Sequence, residues 1–164
     1  MMPTQQMSRR ELLETLTVLG VATGAGLSLS GPAPAGAQAL GGQETVQDAL
    51  TRLFGNRPIK DGGGLVKLEI PLIAENGAVV PVAVDVTSPM TAANYVKHVY
   101  VVADKNRIPI ITRISLAPES GQASVATSVR LGETGDVRAI VEQSDGSLLQ
   151  VKREVKVTVG GCGG

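Results

Sequence analysis

From Leu149 to Val159 the chain alternates with a period of two. Leu149, Val151, Val155, Val157 and Val159 share one parity, broken only by Arg153; Gln150, Lys152, Glu154, Lys156 and Thr158 hold the other. A period of two sends successive side chains to opposite faces, so this segment has to be a β-strand, apolar on one side. Such a strand needs neighbours to pair with and a layer to cover it. The same pattern runs upstream. Val66, Leu68, Ile70 and Leu72 alternate with Lys67, Glu69 and Pro71; Val80, Val82, Val84 and Val86 follow Glu75-Asn76-Gly77-Ala78. Asn-Gly between apolar runs predicts a tight hairpin there. Val96–Val102 and Ile108–Leu116 flank Asp104-Lys105-Asn106-Arg107, Val125–Leu131 and Val137–Val141 flank Gly132-Glu133-Thr134-Gly135, and Asp145-Gly146 opens the last strand. About seven short strands with frequent turns predict an all-β fold, an immunoglobulin-like antiparallel β-sandwich. The cysteine pair and Trp of antibody domains are missing, so the architecture alone is implied.

One stretch keeps a different period. Val46, Ala49, Leu50, Leu53 and Phe54 fall at helical spacing behind Thr45 and ahead of Gly55, a cap and a stop for one short N-terminal helix. Its apolar stripe has two readings: a lid on one end of the core, or a docking face for a partner. Pro71, Pro81, Pro89, Pro109 and Pro118 belong at strand ends and edges, where a missing amide donor is tolerated.

Composition removes several function classes. Fifteen Lys and Arg balance fifteen Asp and Glu, which leaves no basic footprint for nucleic acid. Trp is absent, with one Phe and two Tyr, so bases and sugars have no stacking platform. One Cys excludes an internal disulfide, and one Cys with one distant His makes a poor soft-metal site. No metal and no cofactor is expected.

The N-terminus reads as an export signal rather than structure. Ser8-Arg9-Arg10 precedes Leu12-Leu13 and a mildly apolar run from Leu16 to Leu29, and Ala35 and Ala37 supply a small-residue cleavage pattern. Paired arginines before a weakly hydrophobic core resemble a twin-arginine signal; a general-secretion signal is the alternative. Either route predicts a periplasmic protein with no membrane span after cleavage. The expected organisation is a signal over 1–37, a helix plus sandwich over 38–159, and an arm over 160–164.

That arm, Gly160-Gly161-Cys162-Gly163-Gly164, is where the chemistry is expected. Elsewhere a free Cys reads as a small buried hydrophobe. Here two glycines on each side offer nothing to bury it, and a terminus is the default place for a flexible tail. Five residues reach about 17 Å when extended, thin enough to enter a narrow channel. The ordering cost at each docking favours weak, reversible engagement. The nearest cation along the chain is Lys156. With none closer, the thiol is expected at or above the free-Cys pKa of about 8.5, not activated by its own chain. The chain reads as a substrate-bearing arm with catalysis elsewhere, not as an enzyme.

Gly-Gly-Cys-Gly-Gly on an exported β-domain resembles the SoxY family, sulfur carriers of bacterial thiosulfate oxidation. Pro71-Leu72-Ile73-Ala74-Glu75-Asn76-Gly77 before Val80-Pro81-Val82 is similar to that family's first hairpin, and Val155-Lys156-Val157-Thr158-Val159 to its last strand. The resemblance implies that Cys162 is the covalent attachment point and that Gly160, Gly161, Gly163 and Gly164 form its swinging arm. It also implies a stable complex with a SoxZ subunit. Transient partners would be the haem protein SoxXA, which conjugates thiosulfate; the manganese enzyme SoxB, which releases sulfate; and, where present, SoxCD.

Two other readings of the tail stay open. Gly163-Gly164 fits a C-terminal thiocarboxylate carrier, although that chemistry needs ATP, which an exported protein lacks. A tail Cys could instead cross-link two structural modules in an oxidising compartment. Remaining candidates take ordinary roles: His98 a structural or surface position, Glu75 and Asp85 a carboxylate pair across the expected hairpin without a pocket, Asn76 a turn former, and Arg153 a sheet end or partner contact.

Overall fold

The computed structural model describes residues 44–160; the expected signal over 1–37 and the arm residues Gly161, Cys162, Gly163 and Gly164 lie outside the described residues. Helix α1 (Val46–Phe54) starts where expected. Thr45 is extended, and its hydroxyl accepts the Asp48 amide at 3.1 Å; Gly55 ends the helix at φ 61°, in the left-handed region that favours glycine.

Nine strands follow among the described residues: β1 (Ile59–Asp61), β2 (Val66–Glu69), β3 (Ile73–Ala74), β4 (Val80–Val86), β5 (Val96–Ala103), β6 (Ile110–Ser115), β7 (Ala123–Val129), β8 (Gly135–Gln143) and β9 (Leu148–Val157). They form two sheets, one ordered β1-β9-β8-β5-β6 with β3 also paired to β9, the other ordered β2-β4-β7. The expected sandwich is present, with its main core between the sheets: Val82, Val84, Val99, Val101, Leu131, Val137, Val141 and Val155 are all buried there. The strands beyond the expected seven are β1 and β3. Both lie parallel to β9, Ile59 opposite Leu148 and Ile73 opposite Lys156. At three and two residues they are too short to show any periodicity.

The tight hairpin at Asn76-Gly77 is not formed. β2 and β4 do pair antiparallel, Val66 opposite Val86 and Glu69 opposite Ala83. Between them residues 70–79 leave the three-stranded sheet, cross to the larger one and add β3 to its β9 edge. Pro71, with no amide donor, stands where the ladder stops. Leu72, expected to face inward, is 63% exposed. The Glu75–Asp85 pair dissolves as well: Asp85 is opposite Lys67 and accepts the Ser124 hydroxyl at 2.5 Å.

β9 is likewise covered on more than one side. Leu149 enters the inter-sheet core while Leu148 is buried against α1 on the opposite face, in a second cluster with Leu50, Phe54, Tyr100, Val102 and Ile140. The Phe54 ring meets Tyr100 edge-on at 5.0 Å. So α1 is a lid, and the docking-face reading falls because its apolar stripe is already occupied. β5, sandwiched between both clusters, accordingly reads as a near-continuous apolar run.

Candidate functional site

The site to be explained is the root of the arm, where β9 hands over to Gly160. Lys156, Thr158 and Val159 are each tied down by the loop that was expected to be a hairpin. Lys156 donates its amide to the Leu72 carbonyl at 2.9 Å and Thr158 to Ala74 at 3.0 Å; the Thr158 hydroxyl donates to the Glu75 carbonyl at 2.8 Å. Gly77 then donates its amide to the Val159 carbonyl at 2.7 Å. Asn76 holds the loop's shape, its side-chain oxygen accepting the Ala78 amide at 2.8 Å. Its turn-forming role is therefore as expected, in a different turn.

A second loop closes on the same place. The Gly77 carbonyl accepts the Leu131 amide at 2.7 Å, so one buried glycine, through its amide and its carbonyl, links the arm root to the β7–β8 connection. That connection is fixed from behind by Asn106, whose side chain is buried. Its amide donates to the Arg130 carbonyl at 2.8 Å, and its oxygen accepts the Gly132 amide at 3.0 Å. On the far side Thr134 accepts the Val157 amide at 2.9 Å. The Gly132 carbonyl then lies so close to Gly160 that a β-carbon on Gly160 would run into its oxygen. Gly160 itself is exposed, and Val159 is 62% exposed. The arm thus leaves from a surface point bracketed by two loops.

Of the expected site residues, Gly160 alone is described: it is exposed and lies just beyond β9, against the Gly132 carbonyl. Asn106, Gly77 and Gly132 were not expected there. Asn106 looked like an ordinary polar loop residue, and no sequence period marks a side chain that turns inward to hold backbone groups.

The remaining titratable candidates belong to the opposite end of the larger sheet. Glu142 is 8% exposed and accepts from Arg57 at 2.9 Å and from the Tyr100 hydroxyl at 3.1 Å. Burial pushes its carboxyl up, but the Arg57 and Tyr100 hydrogen bonds and the Arg57 charge outweigh that and hold it below its usual value. His98, 9% exposed, has the Arg113 guanidinium 2.7 Å from Nε2 and the Ser115 hydroxyl 3.0 Å from Nδ1. A guanidinium only donates, so Nε2 accepts and Nδ1 carries the proton. Burial first, then the Arg113 charge, lowers the His98 pKa. His98 is structural. Among the described residues no three His, Cys, Asp or Glu side chains group as metal ligands.

A lowered histidine pKa has a stability consequence. Below about 6.5 the unfolded chain takes up a proton that the folded one refuses, so stability falls as pH drops from that value toward the folded pKa. Thermal unfolding of the protein should weaken between pH 7 and pH 5, and His98→Gln should flatten that decline. An undiminished slope in His98→Gln would assign it to other groups.

Arg153 is exposed over the seam between the sheets. It borders a groove of about 580 Å³ with Leu68, Ile70 and Pro81, and a second of about 360 Å³ with Leu72, Ile73 and Lys156. It marks neither end of its sheet, since it stands mid-strand opposite Val137. No helix among the described residues is long and apolar enough to cross a membrane.

Comparison with known proteins bears on both fold and arm. No curated protein matches significantly. Among solved structures, the sulfur carrier protein SoxY from Chlorobium limicola f thiosulfatophilum is similar at 29% identity. It covers 70% of this chain and 97% of its own, with a TM-score of 0.58. Superoxide reductase (neelaredoxin) from Ignicoccus hospitalis is similar at 21% identity, over 57% of this chain and 80% of its own, with a TM-score of 0.50. At that identity the likeness is one of fold. The family model for the sulfur oxidation protein SoxY matches residues 50–162, from inside α1 through both sheets and the bracketed root to the arm cysteine. This chain belongs to the SoxY family of sulfur-carrying proteins.

Proposed function

We propose that the protein carries the intermediates of thiosulfate oxidation covalently on Cys162 and presents them, on the arm formed by Gly160, Gly161, Gly163 and Gly164, to successive periplasmic enzymes. The observation that carries this reading is the exit of the chain at Gly160. The last strand leads to an exposed Gly160, and in the sequence the cysteine follows two residues later with only glycine on either side. Among the described residues, the buried His98 and Glu142 are engaged with neighbouring side chains.

Loading is an oxidation. Thiosulfate's sulfane sulfur bonds to Sγ, the thiol proton leaves, and two electrons pass to a SoxXA-type haem protein, giving a Cys–S–S–SO3⁻ arm. Water then cleaves the terminal sulfonate at a SoxB-type enzyme, releasing sulfate and a proton and leaving Cys–S–SH. SoxCD, where present, oxidises that sulfur further. In this scheme the chain contributes attachment and presentation but no catalysis. It works as a complex with a SoxZ-type subunit after export by the twin-arginine route and cleavage near Ala37.

Intact-mass measurement on protein from thiosulfate-grown cells tests the reading. Adducts on Cys162 containing sulfur and oxygen, removed by reductant, are expected. A change confined to the Gly164 carboxyl would instead indicate a thiocarboxylate, and disulfide dimer alone a cross-link.

A further inference from the structure

The tail invites a picture of four equivalent flexible glycines, but the root geometry separates the first from the rest. Val159 is held through its carbonyl by Gly77, and Gly160 lies so close to the Gly132 carbonyl that a β-carbon there would collide with its oxygen. That carbonyl is not free to retreat. Its own residue is fixed through its amide by the buried Asn106 side chain, which also holds Arg130, while Leu131 is buried and bonded to Gly77. Asn106, Gly77 and Gly132 therefore make a rigid bracket, and only a residue without a β-carbon passes through it. We propose that Gly160 is glycine for close approach rather than for flexibility, and that Asn106, acting through Gly132, is a positioning residue for the carrier arm.

The consequence is a short, well-aimed lever, and this rests on the carrier reading above. With the chain fixed as far as Gly160, two residues separate the pivot from the thiol, a reach of about 7 Å; freed back to Thr158, four residues would give about 14 Å. A short lever confines the thiol to a small volume above the root, which raises its effective concentration at an enzyme docked there. A long one dilutes it.

The two pictures predict opposite signs for the same substitution. If Gly160 were a hinge, alanine would stiffen it, as alanine in place of a free glycine restricts the backbone. If Gly160 threads a bracket, alanine must push the root out and lengthen the lever. Nitroxide labels on Cys162 and on an added Ser128→Cys, at an exposed site on β7, read this directly as a distance distribution.

In the otherwise unaltered full-length mature protein the distribution should be narrow. Gly160→Ala should displace its mean or broaden it, by about twofold if the reach doubles as above. Gly161→Ala should narrow it or leave it unchanged. Asn106→Ala should reproduce the Gly160→Ala result in protein whose thermal unfolding shows it to be folded. If Asn106→Ala does not fold, Gly160→Ala decides alone. A Gly160→Ala distribution that is unchanged, or narrower about the same mean, overturns the proposal. That outcome would leave sulfur carriage itself intact. Turnover retained without the Cys162 thiol, by contrast, would remove the carrier reading and leave the measured distances standing.

Discussion

Cys162→Ser should abolish thiosulfate-dependent turnover while leaving the fold untouched. The expected loss is total rather than graded. A hydroxyl cannot form the sulfur–sulfur bond that holds the cargo, and this chain contains one Cys, so no second thiol can substitute. Removing an attachment atom differs from weakening a catalytic group, where residual rates survive through binding alone. The fold should not notice, because the arm lies beyond the last strand and the described core contains no contribution from it. The check is oxygen uptake with thiosulfate in cells relying on the variant, alongside thermal unfolding of the purified protein. Turnover above the level of cells lacking the protein would contradict covalent carriage.

The largest expected change in stability comes from Phe54→Ala. Phe54 is the only phenylalanine, 4% exposed, and it closes the second cluster by meeting Tyr100 edge-on, with Leu148, Ile140 and Val102 around it. Truncating a buried Phe costs about 3–5 kcal/mol, from lost transfer energy plus the cavity left behind. For a domain of this size that corresponds to a drop in Tm on the order of 10–20 °C. Nine residues do not hold a helix on their own, so α1 should also fray once its anchor is gone. Denaturant unfolding with circular dichroism measures both. A loss under about 1 kcal/mol would mean that α1 is not a structural lid. Leu53→Ala, at a half-buried position on the same stripe, should cost clearly less.

The second cluster also explains why the reading of β9 as apolar on one face was incomplete. Alternation identifies a strand with one buried side. Leu148 breaks it because α1, over 90 residues earlier in the chain, returns to cover that end of the outer face. Coverage by a distant element leaves no local period. The same holds for β1 and β3, whose pairing with β9 is parallel and long-range.

The candidate site divides in the same way. The tail's composition marked Cys162 and its glycines without any coordinates. The bracket around Gly160 was not readable, because its members come from residues 74–77, 106 and 130–134 and act largely through backbone groups. Even Asn76-Gly77, the strongest local turn signal, was given the wrong partner. It forms a turn, but that turn faces the arm root rather than closing β2 onto β4.

By itself, then, the sequence determined that this chain is a β-sandwich with one short N-terminal helix, and that its one cysteine is flanked by glycines. Period-two and helical patterns, caps and composition are local, and local chemistry writes them directly into residue order. Only the tertiary structure decided that α1 is a lid and which loops hold the end of the last strand. Those contacts depend on which peptide groups of distant loops pair with the last strand, and such partners meet only once the two sheets have closed.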